Sequence, residues 1–264
     1  TLQRAEWAIK LPLRFPAHYD HHAPVQDREK GLRKRVNPKV VPGLKFVQPE
    51  TFKKLFIMWI FTCTVGLALS LTGEHRSNTA LTAVGKMLAA SAYLALAWSL
   101  GATGTVYGQV LLIGMGFCWL GDLLLISTGN RKLFLFGLVS FLLGHVAYIG
   151  AFAVRGVSLP AVAVTAVAMV VFAVVIMRWL RPSLDDRMRR PVLFYVIAIS
   201  TMMAMAVGAW ATDGNLAIPI GAFLFLVSDL AVARDRFVSP GFINRAWGLP
   251  LYFLAQIVLA YSVI

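Results

Sequence analysis

Residues 159–180 read LPAVAVTAVAMVVFAVVIMRWL, a run in which the sole charged side chain is Arg178 near its end. As a helix rising 1.5 Å per residue it is about 33 Å long, enough to cross the roughly 30 Å hydrocarbon core of a bilayer. Apolar on every side, it has no face to offer water, and so belongs in lipid. Seven further runs of similar character lie on either side of it, at about 52–71, 80–99, 106–127, 132–153, 191–211, 216–234 and 243–264. The whole chain is 58% hydrophobic and 14% charged, against about 25% charged residues in an ordinary soluble domain. The expected fold is therefore all-α, a polytopic membrane bundle of about eight transmembrane helices occupying residues 52–264.

The segments between these runs carry turn formers and charges: Gly73-Glu74-His75-Arg76, Gly129-Asn130-Arg131-Lys132, Arg181-Pro182 through Arg190-Pro191, Asp213-Gly214-Asn215, and Arg234 through Pro240-Gly241. Connections this short imply antiparallel neighbours. Residues 1–51 differ in kind, with six prolines from Pro12 to Pro49 and the basic run Lys30-Gly31-Leu32-Arg33-Lys34-Arg35. They have too few aliphatic side chains for a core, lack the apolar stretch of a secretory signal, and read as a retained basic arm. A headgroup-bound tail and a docking arm for a protein partner are both consistent with it.

The net charge of +13 does not indicate nucleic acid. The basic residues fall in the first 54 positions or around the ends of apolar runs, Lys86 excepted, where anionic lipid headgroups or an acidic partner account for them. The loops place Arg76, Arg131, Lys132, five arginines from Arg178 to Arg190, Arg234, Arg236 and Arg245 on one side and Arg155 on the other. Short-loop charge favours a cytoplasmic location for the arginine-rich side, while the basic arm pulls the other way. Cys63 and Cys118 sit inside apolar runs, and no disulfide is expected. His18-Tyr19-Asp20-His21-His22 has metal-ligand residue types but no second spaced pair, so neither a metal nor another cofactor is assigned.

Ionisable side chains at membrane depth are costly unless they meet a partner or a cavity, which makes each a functional candidate. Within the spans these are Lys86, Asp122, His145 and Asp229. Lys86, Asp122 and Asp229 lie five to six residues in from the arginine-rich side, roughly 8–10 Å deep. His145 lies deeper, with Tyr148, Tyr252 and Gln256 at comparable levels. Gly121-Asp122-Leu123 and Ser228-Asp229-Leu230 are 107 residues apart, and His145 and Tyr252 each follow an aspartate by 23. That spacing suggests two four-helix halves related by an axis along the membrane normal, with a site between them. The bland alternatives are a snorkelling Lys86, a salt bridge between Lys86 and an aspartate, and His145, Tyr148, Tyr252 and Gln256 as hydrogen-bonding glue between helices. Two carboxylates against a single lysine leave one carboxylate over, which favours chemistry.

Gly121-Asp122, Phe136-Gly137-Leu138, Gly144-His145-Val146-Ala147-Tyr148, Gly221 through Leu230 with Arg236-Phe237, and Tyr252-Phe253-Leu254-Ala255-Gln256 resemble the YhhN-like family of integral membrane lysoplasmalogenases. Lys86 fits the family's early lysine, although Met87 stands where a proline usually follows. The resemblance covers most of residues 80–264 and does not extend to the arm. It implies hydrolysis of the vinyl ether bond of lysoplasmalogens, with one of Asp122 and Asp229 as general acid and the other as supporting carboxylate, and Lys86, His145, Tyr148, Tyr252 and Gln256 supporting or binding substrate; the sequence does not distinguish the two aspartates. Substrate and membrane lipids are the implied partners. A noncatalytic membrane subunit docked through the arm, and a proton-coupled lipid or solute carrier, are the competing classes.

Overall fold

The computed structural model describes residues 49–126 and 130–264. Most of the arm, including the His18–His22 cluster and the basic run, lies outside the described residues. Among the described residues eight helices long and apolar enough to cross a membrane follow one another: α1 Pro49–His75, α2 Thr79–Ser99, α3 Val106–Leu124, α4 Arg131–Arg155, α5 Leu159–Leu180, α6 Asp186–Asp213, α7 Ala217–Ala233 and α8 Phe242–Tyr261. The chain is a multi-pass integral membrane protein. Sequential helices pair as antiparallel hairpins, α1 with α2, α3 with α4, α5 with α6 and α7 with α8.

Four of the helix starts are fixed by side-chain caps. Asn78 accepts from the Leu81 N–H, Thr105 from Gly108, Asn130 from Lys132 and Leu133, and Asp185 from Met188. Such caps satisfy amide donors that the helix itself leaves unpaired. The Asp185 cap also accounts for a difference from the sequence reading. The segment through Arg190-Pro191 was expected to be loop, yet α6 begins at Asp186 and carries Pro191 inside it. Proline there costs one hydrogen bond, to the carbonyl of Arg187 in the first turns, where the exposed residue can be solvated. At the other connections, α1 runs on through Gly73 to His75, and α7 continues into a π-helical turn, Arg234–Val238. Conversely, α3 stops at Leu124 instead of reaching residue 127, so Asp122 lies in its last turn.

Without a hydrophobic drive between helices in lipid, close backbone approach supplies the packing. A Cβ on Gly85 would lie 2.3 Å from the Ser70 nitrogen, and one on Gly66 2.5 Å from the Ala89 nitrogen. Only glycine lets α1 and α2 meet that closely. By contrast α5, the most apolar span, packs chiefly on α6 and turns Val164, Val167, Val170 and Val171 outward. The ends are tied by polar contacts. On the arginine-poor side Arg155 pairs with Asp213, donates to the Ser262 carbonyl at 2.9 Å, and lies over the Tyr107 ring. On the arginine-rich side Arg131 meets Asp185 at 3.0 Å, and Arg245 bridges Glu74 and Asp235. Cys63 and Cys118 are buried free thiols.

Candidate active site

At the arginine-rich end a cavity of about 290 Å³ opens among the helices, and Lys86, Asp122, Asp229 and Tyr252 line it together. Phe134 and Leu138 of α4, Phe172 and Ile176 of α5, and Val192 and Val196 of α6 give it an apolar wall. Glu74, Asp235, Arg236 and Arg245 form a charged rim, with Asn244 buried beside them. An amphiphile with a polar head and a hydrocarbon chain matches this division.

The two aspartates have different surroundings. Asp122, 2% exposed, accepts a 2.6 Å hydrogen bond at Oδ2 from the Tyr252 hydroxyl, and its Oδ1 lies 3.6 Å from Lys86 Nζ. The Tyr252 oxygen lies 3.3 Å from the Tyr93 hydroxyl, which also reaches the Met115 carbonyl. A hydroxyl donor and an ammonium both favour negative charge on Asp122. Asp229, 15% exposed, accepts a 2.8 Å hydrogen bond from Tyr195, while His145 Nε2 stands 3.6 Å from the same oxygen. The leftover carboxylate expected from counting one lysine against two aspartates therefore has partners, a phenol and an imidazole.

His145 is fully buried, its ring edge-on to Tyr195 and Phe225. Its Nδ1 lies 2.7 Å from the Phe141 carbonyl. A carbonyl can only accept, so Nδ1 carries a hydrogen. Nε2 then faces Asp229 and makes no hydrogen bond among the described residues.

Of the supporting residues read from the sequence, Lys86 and Tyr252 reach the cavity, and His145 stands directly behind Asp229. Tyr148 and Gln256 lie elsewhere: the Tyr148 hydroxyl donates to Gln256 Oε1 at 2.7 Å, joining α4 to α8, and Cys118 Sγ points at the Tyr148 oxygen from 3.8 Å. That is interhelical glue rather than cavity lining. Tyr195 and Tyr93 escaped the sequence reading because a lone tyrosine in an apolar run looks like packing. One signal was present: Lys86 in α2 and Tyr195 in α6 are separated by nearly the same interval as the two aspartates. Among the described residues no group of three His, Cys, Asp or Glu side chains is placed to hold a metal ion.

Fold and site together define a polytopic membrane protein with a pair of carboxylates lining one amphipathic cavity among its helices. Residues 81–263 match the profile of the YhhN family, and the chain belongs to that family. It is 33% identical to the lysoplasmalogenase TMEM86A of Bos taurus and 28% identical to that of Homo sapiens, in each case over 58% of this chain and 65% of the relative. It is 31% identical to a lysoplasmalogenase of Mycobacterium tuberculosis, over 53% of this chain and 57% of the relative. The aligned region thus spans less than two thirds of each relative. No solved structure matches the chain.

Proposed function

We propose that the protein hydrolyses the vinyl ether bond of lysoplasmalogens, releasing a fatty aldehyde and a glycerophospho-ethanolamine or glycerophospho-choline. The observation that carries this reading is the unequal pair of carboxylates in one cavity with an apolar wall and a charged rim. Relatives named lysoplasmalogenase support the substrate class.

Vinyl ether hydrolysis needs a proton on the outer alkenyl carbon and then a water on the carbon next to oxygen. In this reading Asp229, with Tyr195 and His145 around it and no lysine or arginine in contact among the described residues, is the general acid. Its proton forms the new C–H bond and the double-bond electrons leave an oxocarbenium ion. Asp122, held as an anion by Lys86 and Tyr252, faces that cation and takes a proton from the attacking water, giving a hemiacetal. Loss of the hemiacetal O–H proton and protonation of the departing glyceryl oxygen then yield aldehyde and alcohol, with one water consumed. General acid–base groups of this kind contribute about 10²–10⁴-fold each.

The alkenyl chain lies along the wall formed by α4, α5 and α6, with the ether bond beside the carboxylates. A parallel repeat of two four-helix halves accords with this arrangement: Asp122 of α3 bonds to Tyr252 of α8, while Asp229 of α7 is faced by His145 of α4, an exchange of equivalent partners between halves. The arginine content of the short loops supports a cytoplasmic location for the cavity mouth.

The test is aldehyde release from a lysoplasmalogen in detergent by purified, folded Asp229→Asn and Asp122→Asn proteins. Each is expected to lose at least about a hundredfold in rate. A parental rate in either variant refutes the assignment. Product mass spectrometry with an ordinary ester lysophospholipid as control establishes which bond is cut.

A further inference from the structure

The rim of the cavity holds an arrangement that hydrolysis of the ether bond does not itself require. Arg245, in the first turns of α8, donates through Nε to Asp235 Oδ2 at 3.1 Å and through Nη1 to Glu74. One guanidinium is thus shared by two carboxylates from different helices, and the triad carries one net negative charge. Asp235 Oδ1 is engaged by the Gly241 amide and by Asn244. Glu74 has Arg245 as its hydrogen-bonding partner, is 16% exposed in its side chain, and lines the cavity. Next along the chain from Asp235, Arg236 lies over the Phe134 ring at 4.1 Å and lines the same cavity. Negative and positive charge therefore stand side by side at the mouth of an apolar slot.

We propose that this rim is a headgroup site for a zwitterionic lipid bearing a primary ammonium, with the ammonium on Glu74 and Asp235 and the phosphodiester on Arg236. The proposal rests on the lysoplasmalogenase reading above and specifies its substrate. A primary ammonium brings three N–H donors to carboxylate oxygens, whereas a trimethylammonium brings none and is better served by aromatic faces. The Phe134 face that would suit choline is taken by Arg236. The spacing agrees as well. Asp229 and Asp235 are six residues apart on one continuous helical path, about 9 Å at 1.5 Å per residue. In an ethanolamine lysoplasmalogen nine bonds separate the vinyl ether oxygen from the nitrogen, roughly 10 Å when extended at ordinary bond lengths. A molecule with its ammonium at Asp235 therefore sets its ether bond at the level of Asp229.

Binding to the full chain in detergent micelles tests this without relying on catalysis, using ester lysolipids that contain no vinyl ether. Lysophosphatidylethanolamine, lysophosphatidylcholine and lysophosphatidic acid of one chain length are titrated by native mass spectrometry or calorimetry, with inorganic phosphate as competitor. The ethanolamine lipid is expected to bind about tenfold more tightly than the other two, equivalent to about 1.4 kcal/mol. Glu74→Gln should remove that margin and leave lysophosphatidic acid binding unchanged. Equal affinities in the parental protein overturn the proposal whether or not the variant folds, as does parallel weakening of all three lipids in a folded variant. Displacement of the ethanolamine lipid by millimolar phosphate also overturns it, by showing a general anion site. Aldehyde release with no headgroup margin sinks this proposal alone; a headgroup margin without aldehyde release sinks the hydrolase reading alone.

Discussion

Replacing Lys86 with methionine removes one partner of a buried ion pair while keeping most of the side chain's volume. Asp122 is 2% exposed and Lys86 12%, with 3.6 Å between Nζ and Oδ1. At an effective dielectric of about 20 the Coulomb attraction at that distance is about 4–5 kcal/mol. Removing one member of a buried pair typically costs about 3–5 kcal/mol, because the survivor is left as an uncompensated charge. The Tyr252 hydrogen bond remains, which places the expected loss for Lys86→Met near the lower end, about 3 kcal/mol. In the double variant Lys86→Met/Asp122→Asn no buried charge is stranded, and most of the lost stability should return, leaving about 1 kcal/mol of deficit. The assay is reversible denaturant unfolding of the four proteins of this cycle in one detergent, with aldehyde release measured in parallel. The double variant should be stable and inactive, which separates the fold from the chemistry. A single variant within about 1 kcal/mol of the parent, or a double variant no more stable than the single, would refute the claim that Lys86 exists to hold Asp122 charged.

Other positions yield sharper or simpler outcomes. Tyr195→Phe deletes the hydroxyl that donates to Asp229 at 2.8 Å; a bond of this type contributes about 1.5–3 kcal/mol when the acceptor is charged, so kcat for aldehyde release should fall about tenfold or more while KM changes little. Ile176→Trp fills the slot lined by α5 and should raise KM for long-chain lysoplasmalogens more than for short-chain ones, a difference read directly from initial rates across chain lengths. Gly85→Ala drives a Cβ to within 2.3 Å of the Ser70 nitrogen, and overpacking of this kind costs about 1–3 kcal/mol, measured as a lowered unfolding midpoint in micelles.

The bundle was legible in the sequence because lipid imposes a simple rule. A span must satisfy its own backbone and face hydrocarbon, so twenty apolar residues announce a helix whatever surrounds them. The helix ends were less legible, since they depend on local competition. Capped by Asp185, α6 starts five residues before the expected residue 191, the π-helical turn carries α7 past Arg234, and α3 ends early enough to leave Asp122 in its last turn. None of these alters the apolar pattern on which the reading relied.

For the candidate site, the sequence alone singled out Asp122, Asp229 and Lys86, which the structure brings to one cavity, because an ionisable group at membrane depth stands out against its background and carries a cost that something must offset. It also held the 107-residue interval between the two aspartates. It could not say which aspartate meets the lysine and which the imidazole, that Tyr195 bonds to Asp229 and Tyr93 contacts Tyr252, or that Tyr148 and Gln256 bond to each other away from the cavity. Those facts depend on which faces of distant helices meet, and a tyrosine's neighbours across a helix crossing leave no mark on its own segment. Composition therefore determined the solvent, the number of spans and the charged residues that needed an explanation. Only the tertiary structure, by bringing Tyr252 of α8 and Lys86 of α2 to Asp122 of α3 and Tyr195 of α6 and His145 of α4 to Asp229 of α7, decided that the two aspartates stand in unlike surroundings, one beside an ammonium and one beside a phenol and an imidazole.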